Sequence, residues 1–558
     1  MLLSRAGTVV VSATATTSLE ILPARLGGTA LIRDYLARDP RLSTFFSGHF
    51  TDPAAYRRKA QAVAARLGPA QRARLAPAFR ALSGTAAAKL SRILAGEGFM
   101  VTTGQQAGLF GGPLYTVHKA LSAICLAEEL EELLGAPVLP LFWVAADDHD
   151  WAEVDHSWLL DRTGGLRRVA VAQEEMPPHA MADRLLGPGV ADAIDALAQA
   201  LPETEYTPAL LETVRRAYRP DATVAGAFED LLAALFRGFD LILMSSAHAA
   251  VKDAASALFV REIEQFEEHS ASVARQTALL EGAGYHAQVA VTDDASNLFL
   301  HDELGRDRLV RANGAWTTRR TKRRIGHDVL LDMIRQTPSR FSPNVFLRPI
   351  VESALLPTLA YVGGPAEVSY FAQIGCLFRA HGVEPPVVFP RFRFTLVEGR
   401  VRRVAEKFGL ELDDFARPLH ELKMRLVRDG MPAAVTESAE ALRAAIRHGY
   451  GRMSGSAVEV DPTLGAWLDK QRNAALHGID DAERKVAQHL RRRREIELAQ
   501  LDRAAAGLMP EGVPQERKLN ALPFLARYGP DLLRDMKAAL HVEWESAAAG
   551  WDGVRCPD

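Results

Sequence analysis

The chain reads as an α/β protein: an open parallel sheet with crossover helices and small mixed insertions, followed by a helical coiled-coil arm. Three observations point there. In "VTTGQQAGLFGGPLYTVHKAL" (residues 101–121) an apolar run leads through a glycine-rich loop into a helical stretch, and the next apolar run, "VLPLFWVAADDHD", ends in three carboxylates and a histidine. Strand, loop, helix, strand is a βαβ unit, whose crossover is nearly always right-handed and whose sheet is parallel. The same grammar returns in "LPTLAYVGGPAEVSYFAQ". From about Leu396 the pattern becomes almost wholly helical, with apolar residues at steps of three and four.

The elements follow in order. Residues 17–98 are rich in Ala, Leu and Arg and, as in "RKAQAVAARLGPAQRARLAPAFRALSG", read as several amphipathic helices. "GEGFMVTTG" ends in a β-branched run that predicts a buried strand over 99–103, then a loop through Gly112 and a helix over 113–134 with Pro113 in its first turn, where a missing N–H costs little. "FDLILMSS" (239–246) predicts another buried strand before a helix near 249–282, and "PPVVFPRF" a further strand. "HAQVAVTDDASNLFLHDELGRDRLVRANGAWTTRR" alternates over short runs broken by turn residues, as in a small mixed insertion. In the arm, Asp461-Pro462 offers an N-cap followed by Pro at the first helical position. Beyond it Ile479, Ala482, Val486, Leu490, Leu498, Leu501, Ala505 and Leu508 recur mostly at three or four steps, with Arg494 in the one gap. That predicts a long helix with a narrow apolar stripe, suited to a coiled coil with a helix around 435–450 of the same chain or of a second copy. The expected divisions are a helical part of the core over 1–98, the sheet-bearing core over 99–395 with insertions near 157–235 and 285–345, the arm over 396–510, and a segment over 511–558 that returns to the core.

At 558 residues, 48% hydrophobic and 24% charged, the chain can bury a large core and divides into two or three domains, because single cores stop growing near roughly 250–300 residues. A net charge of -3 gives no general pull toward nucleic acid or an anionic membrane. No window reaches the roughly 18 apolar residues of a membrane span. Cys125, Cys376 and Cys556 lie far apart without CxxC spacing, so neither a disulfide framework nor a thiolate metal site is expected, and a reducing cytoplasm fits. In "MLLSRAGTVVVSATATTSLEIL", Ser and Thr break the apolar run before it becomes a signal-peptide core.

Chemistry concentrates at the ends of the predicted strands. A loop running from a parallel strand into a helix N-terminus aims free N–H groups and the positive end of the helix dipole at one spot, which suits phosphate. Gly104, Gly108, Gly111 and Gly112 would supply the turn and the open surface, with Gln105 and Gln106 as neutral donors and acceptors; the glycines could equally make only a close turn. Neither GxGxxG nor the P-loop pattern is matched. His118 and Lys119 either face a bound phosphate or pack against the sheet and sit in solvent, respectively, and Tyr115 reads as core rather than catalytic. The second constellation is Asp147, Asp148, His149, Asp150, Glu153, Asp155 and His156 at the end of the next strand. Adjacent carboxylates repel unless a cation, an arginine or a helix N-terminus compensates, so this group either holds a metal–nucleotide or an ammonium, or caps the following helix. His149 could act as a general base. With no thiolates and only scattered histidines, Mg²⁺ arriving with phosphates fits better than zinc. Gly363, Gly364 and Glu367 would line the opposite wall, Glu367 binding an ammonium or interacting with its own helix dipole. The runs 319–324 and 491–494 are solvated basic faces, or the first holds a dicarboxylate.

With "VTTGQQAGLFGGPLYTVHKA", "LFWVAADDHDWAEVDH", "LPTLAYVGGPAEVSYFAQ" and "VPQERKLN" (513–520), the sequence resembles the bacillithiol biosynthesis cysteine-adding enzyme family, in that family's order and over nearly the whole chain; the first twenty or so residues look like an unmatched extension or an upstream start. The resemblance implies a cytoplasmic ligase that joins cysteine to the amine of glucosaminyl malate. It implies a Rossmann-like core similar to nucleotidylyl transferases, a dimerising coiled-coil arm, and a nucleotide, ATP or ADP, with Mg²⁺. On the matching segments, Asp148, His149 and Asp150 would be catalytic or would bind metal or the cysteine ammonium, and residues 104–119 would hold phosphates. Arg517 and Asn520 would touch nucleotide, while Tyr115, Gly363, Gly364 and Glu367 would meet substrate. The alternatives are a nucleotide- or sugar-binding coiled-coil scaffold and a nucleotidyltransferase acting on another small molecule.

Overall fold

All seven residues of Val138–Val144 are buried, the mark of a strand covered on both faces of a parallel sheet. This strand is the third, in chain order, of a six-stranded sheet: β1 Arg80–Ala81, β2 Phe99–Gln105, β3 Val138–Val144, β4 Ile242–Ser245, β5 Thr358–Gly363 and β6 Val387–Pro390. The computed structural model describes residues 9–11, 18–172, 176–292, 294–312, 314–545, 551, 553, 554 and 556; most of the stretch read as an extension lies outside them. The spatial order is β6-β5-β2-β3-β4-β1, with β2 to β6 parallel and β1 antiparallel to β4. Each fully enclosed Leu139, Leu141 or Phe142 contributes about 2–3 kcal/mol of transfer free energy.

Crossover helices cover the sheet. Helix α1 (Tyr115–Leu134) connects β2 to β3, and every residue from Thr116 to Ala127 is buried, so it lacks a polar face until its last two turns. Gly135, at φ 62°, ends it in the left-handed conformation that favours glycine. After β4 come α2 (Ala249–Glu264) and α3 (Phe266–Gly282), two helices where the sequence predicts one, broken at Gln265 (φ -107°, ψ 24°). Helix α4 (Pro365–Ala380) joins β5 to β6.

Between β3 and β4 lie the short helix Trp151–Val154, a hairpin, His156–Leu160 with Leu166–Ala170, and three longer helices. Between α3 and β5 lies a five-stranded antiparallel sheet that includes Ala295–Asp302 and Gly305–Ala312. The N-terminal region departs from the all-helical expectation, since Leu19–Ala24 forms a strand beside its helices. The widely spaced cysteines are a second departure: Cys376 and Cys556 are disulfide-bonded, with Cα atoms 5.5 Å apart, because the chain end returns to α4.

The chain divides into two units, one built on 19–396 and 515–558, the other on 397–514. The second is helical. Its centre is an intrachain antiparallel pair, α5 (Ala433–Val458) and α6 (Leu464–Arg493), in which Arg443 meets Asp480 at 2.6 Å and also Glu483. The single long helix expected beyond Asp461 breaks at Arg494 (φ -100°, ψ 16°), whose guanidinium donates to Leu426 O at 2.8 Å, and α7 (Glu495–Leu508) follows. Asp461 closes a turn on the Thr463 N–H at 2.8 Å.

Candidate active site

Strand order reverses between β2 and β5, and in an open α/β sheet the crevice outside the carboxyl ends at such a point is where ligands bind. A cleft of about 680 Å³ opens there. Gly104, Gln105 and Gln106 line it from the end of β2, Tyr115 and Lys119 from α1, and Gly364 and Glu367 from the β5–α4 turn. Asp147, Asp148 and Glu153 enter from beyond β3. The two glycine-containing loops and the acid cluster therefore share one hollow.

Lys119 is the hinge of that wall. Its ammonium pairs with Glu367 at 2.6 Å and donates to Gly104 O at 2.8 Å and Gln105 Oε1 at 2.9 Å. Glu367 also accepts from the Tyr361 hydroxyl and, at 2.7 Å, from the Gly364 N–H. Burial works against the Glu367 charge, but the Lys119 ammonium outweighs it and holds the carboxyl below its ordinary value. The ammonium that Glu367 binds is thus one from its own chain. Burial pushes the Tyr115 phenol up to about 12.

The acids after β3 separate into different roles. Asp147 is buried and paired with Lys252 at 2.5 Å. Asp148 accepts from Gln106 and, at 3.3 Å, from Arg306. Burial alone would raise its pKa, yet the His149 hydrogen bond, the Arg306 charge and Gln106 hold it well below the carboxylate range. Glu153 accepts from Gln106 Nε2 at 2.9 Å. Its pKa is raised by burial; the Gln106 bond opposes this, and the Asp148 and Asp150 charges add to it. His149 sits beside the cleft, its Nδ1 accepting from Arg306 at 3.2 Å. Asp150 does not face the cleft. It is exposed and caps the short helix Trp151–Val154 through the Glu153 N–H at 3.3 Å.

The glycine loop is not an open anion cradle. Gly111 and Gly112 adopt positive φ (90° and 68°) to close a tight turn, and the amides face inward: Gly108 N–H donates to Gln106 O, Gly111 N–H to Gly108 O and the Tyr218 hydroxyl, and Gly112 N–H to Leu109 O. A Cβ on Gly108 would lie 2.9 Å from Gly112 Cα, so that glycine serves the turn itself. Gly104 is a glycine because a Cβ there would meet Trp143 O at 2.7 Å on the neighbouring strand. Asn520 seals the loop by donating from Nδ2 to Phe110 O and Gly112 O, both at 2.8 Å. Its neighbour Leu519 accepts from the Leu114 N–H at the start of α1, which closes the helix end expected to hold phosphate. Gly108, Gly111, Gly112 and Asn520 thus lie outside the cleft, as does His118, which is fully buried against Phe394 at 5.0 Å. Gly363 ends β5, with its carbonyl accepting from the Arg391 N–H.

In "VPQERKLN" the other residues divide similarly. Gln515 bridges the Leu396 backbone at 2.9 and 3.0 Å, Glu516 lies 3.7 and 3.6 Å from Arg391 and Arg393, and Arg517 lines the cleft.

Arginines are what the sequence does not reveal. Arg306, Arg308, Arg348 and Arg391 line the cleft with Arg517, whereas the run 319–324 does not. Arg306 and Arg308 stand two residues apart on one strand, so both project from the same face. Arg306 is buried: it lies over the Phe299 ring at 3.9 Å and donates to Ser342 Oγ and Pro343 O. Arg348 is locked to Glu352 at 2.8 Å and to the Tyr361 and Tyr370 hydroxyls at 3.1 and 3.0 Å. The one available signal is a lone arginine inside an otherwise apolar stretch, as in "VFLRPI" and "VVFPRF".

A parallel sheet with a polar cleft at its switch point, extended by a helical unit, defines a Rossmann-like α/β protein with a small-molecule site. Residues 17–392 match the family described as "Bacillithiol biosynthesis BshC, N-terminal Rossmann-like domain", and residues 394–544 match "Bacillithiol biosynthesis BshC, C-terminal coiled-coil domain". The chain belongs to the BshC family. Similar relatives, each named "Putative cysteine ligase BshC", include one from Salinibacter ruber, 34% identical over 93% of this chain and 96% of its own length. Another, from Symbiobacterium thermophilum, is 34% identical over 80% and 83%, and one from Bacillus licheniformis is 30% identical over 82% and 85%.

Proposed function

We propose that the chain is a carbon–nitrogen ligase that adds L-cysteine to the amine of glucosaminyl malate, completing bacillithiol in the cytoplasm. The observation that carries this reading is the cleft's composition: five arginines share one hollow with the carboxylates of Asp148 and Glu153. A malyl group brings two carboxylates, and guanidinium forks match them. The cysteine and sugar amines call for acids on the facing wall.

Forming an amide from a free carboxylate in water is unfavourable. The cysteine carboxyl is therefore first activated by ATP, as an acyl adenylate with loss of pyrophosphate or as an acyl phosphate with loss of ADP. Attack by the sugar amine then forms the C–N bond and expels the phosphate-bearing group. The phosphates would be held by the cleft arginines rather than by Gly108–Gly112, whose amides are spent within the loop. Mg²⁺ accompanying them would find Asp148, since Lys252 already neutralises Asp147 and Asp150 caps a helix. Glu153, with its raised pKa, suits the proton acceptor that the attacking amine requires. Asp148 and His149, joined through Arg306, fix the guanidinium that orients the substrate.

Purified protein incubated with cysteine, glucosaminyl malate and ATP should yield a product of bacillithiol mass, with AMP or ADP distinguishing the two activations. Absence of product with every nucleoside triphosphate would sink the proposal. The second unit supports self-association: α5 and α6 bury only Ala439 and Leu468 among their side chains, too little core for two helices of that length to stand alone.

A further inference from the structure

Away from the cleft, a second cluster of chemistry-bearing side chains is wholly enclosed. Glu262 near the end of α2, His269 near the start of α3 and His381 at the C-terminal cap of α4 are 0%, 0% and 2% exposed. One donor atom from each lies within 4.8 Å of the others. His269 Nδ1 is 2.8 Å and His381 Nε2 3.2 Å from the same oxygen, Glu262 Oε2. The ring centroids are 4.1 Å apart.

We propose that Glu262, His269 and His381 bind a transition-metal dication, with zinc the best match to the donor set, as a staple between α2, α3 and α4. Charge argues first. The carboxylate is buried, and its hydrogen-bond partners are two imidazoles and the backbone and side-chain amides of Asn297, so among the described residues no lysine or arginine pairs with it directly. A lone buried carboxylate is costly, and a dication held by two neutral imidazoles compensates it. Geometry argues second. Tetrahedral zinc with bonds of about 2.0–2.1 Å sets its ligand atoms about 3.3 Å apart, near the 2.8 and 3.2 Å that separate Glu262 Oε2 from the two ring nitrogens. Orientation argues third. Glu262 Oε1 is held by the Asn297 N–H at 3.0 Å and Nδ2 at 2.8 Å, and Asn297 Oδ1 is held by Asn344 Nδ2 at 2.8 Å. This outer layer leaves Oε2 turned toward the rings, as the partners of a metal-bound carboxylate do. Among the described residues the remaining nitrogens, His269 Nε2 and His381 Nδ1, have no hydrogen-bond partner, so each ring turns its hydrogen-bonding nitrogen to this cluster.

Three protein ligands leave a fourth position for water. The scaffold link is direct, because α2 carries Lys252, which neutralises Asp147, and α4 begins beside Glu367, which clamps Lys119. Histidines 112 positions apart in the chain carry no motif, which is why the sequence does not suggest zinc.

The test uses the full chain purified without a metal-affinity tag, stripped with chelator, reloaded with zinc sulfate and desalted, with metal measured by plasma mass spectrometry. About one zinc per chain should be retained, as for a closed protein site, and affinity should fall by more than about tenfold in His381→Gln and Glu262→Gln. Wild-type protein that keeps no zinc, or variants that keep as much as wild type, would overturn the site. X-ray absorption on zinc-loaded wild type needs no variant. Two imidazoles in the first shell are expected, and a shell without imidazole refutes the assignment even if the variants fail to fold.

Discussion

Lys119 and Glu367 bring opposite charges to the cleft wall with side chains only 5% and 17% exposed, and at this depth an ion pair costs more to break than it contributes whole. Lys119→Met should lower unfolding free energy by about 3 kcal/mol, because Glu367 is left without its counter-charge. The double variant Lys119→Met/Glu367→Gln should recover part of that loss. Urea denaturation monitored by circular dichroism reads both. The pH dependence has a definite sign. The folded pKa of Glu367 is depressed, so its contribution is present above the unfolded carboxylate value near about 4.3 and is lost as pH falls through the lower folded value. The gap between wild type and Glu367→Gln should therefore close in acid. Glu153 has the opposite shift, since burial and neighbouring carboxylates make it harder to ionise. If it accepts the amine proton, kcat/KM falls as pH drops through this raised value. Glu153→Gln should then remove that acid limb and lower the plateau by about 10²–10⁴-fold. An unchanged pH–rate profile would reassign the base.

At the scale of elements, the loop between β2 and α1 is held by residues from elsewhere in the chain. Asn520→Ala strips the donor from two inward carbonyls, Phe110 O and Gly112 O, and should cost about 2–4 kcal/mol. Gly104→Ala sets a methyl 2.7 Å from Trp143 O and should cost about 1–3 kcal/mol by forcing β2 from β3. Thermal unfolding of each variant checks the values. These contacts explain what the sequence can and cannot convey. Strands β2, β3 and β5 are legible because strands covered on both faces read as unbroken apolar runs ending in glycine or acid. The convergence of residues 104–106, 147–153 and 364–367 is legible too, because parallel strands deliver their ends to one side. What each glycine does is not legible. Their partners Tyr218 and Asn520 stand 107 and 408 positions from Gly111 and Gly112, and local pattern carries no trace of them. Arg348 and Arg391 are hidden because each sits singly in an apolar stretch, and Arg306, Arg308 and Arg517 because they stand among other charges, while the conspicuous basic run 319–324 meets Asp294, Asp302 and Asp307 instead. The break at Arg494 falls where the apolar spacing lapses, a gap that the sequence displays without saying whether the helix spans it.

For the whole molecule, each unit poses its own packing problem. The unit with the sheet closes a continuous core, whereas α5 and α6 run 26 and 30 residues yet each buries a single side chain, Ala439 and Leu468. Near the turn between them, Met453, Val460 and Trp467 are 57%, 83% and 56% exposed, a concentration of apolar surface that water does not favour. A second copy laid along this stripe would bury it, and an interface of that kind is isologous, so one substitution acts twice in each dimer. The wild-type protein should sediment as a dimer at micromolar concentration. Trp467→Glu places a charge in both copies of the contact and should weaken association by at least about tenfold, the equivalent of about 1.4 kcal/mol. Because Trp467 lies in the helical unit and the cleft is lined wholly by the other, the variant should keep its far-ultraviolet circular dichroism and its ligase turnover under dimer-saturating conditions. Sedimentation velocity across a concentration series decides the matter. A monomeric wild type would remove the self-association reading outright, and a Trp467→Glu dimer as tight as wild type would move the contact off this end of the helix pair.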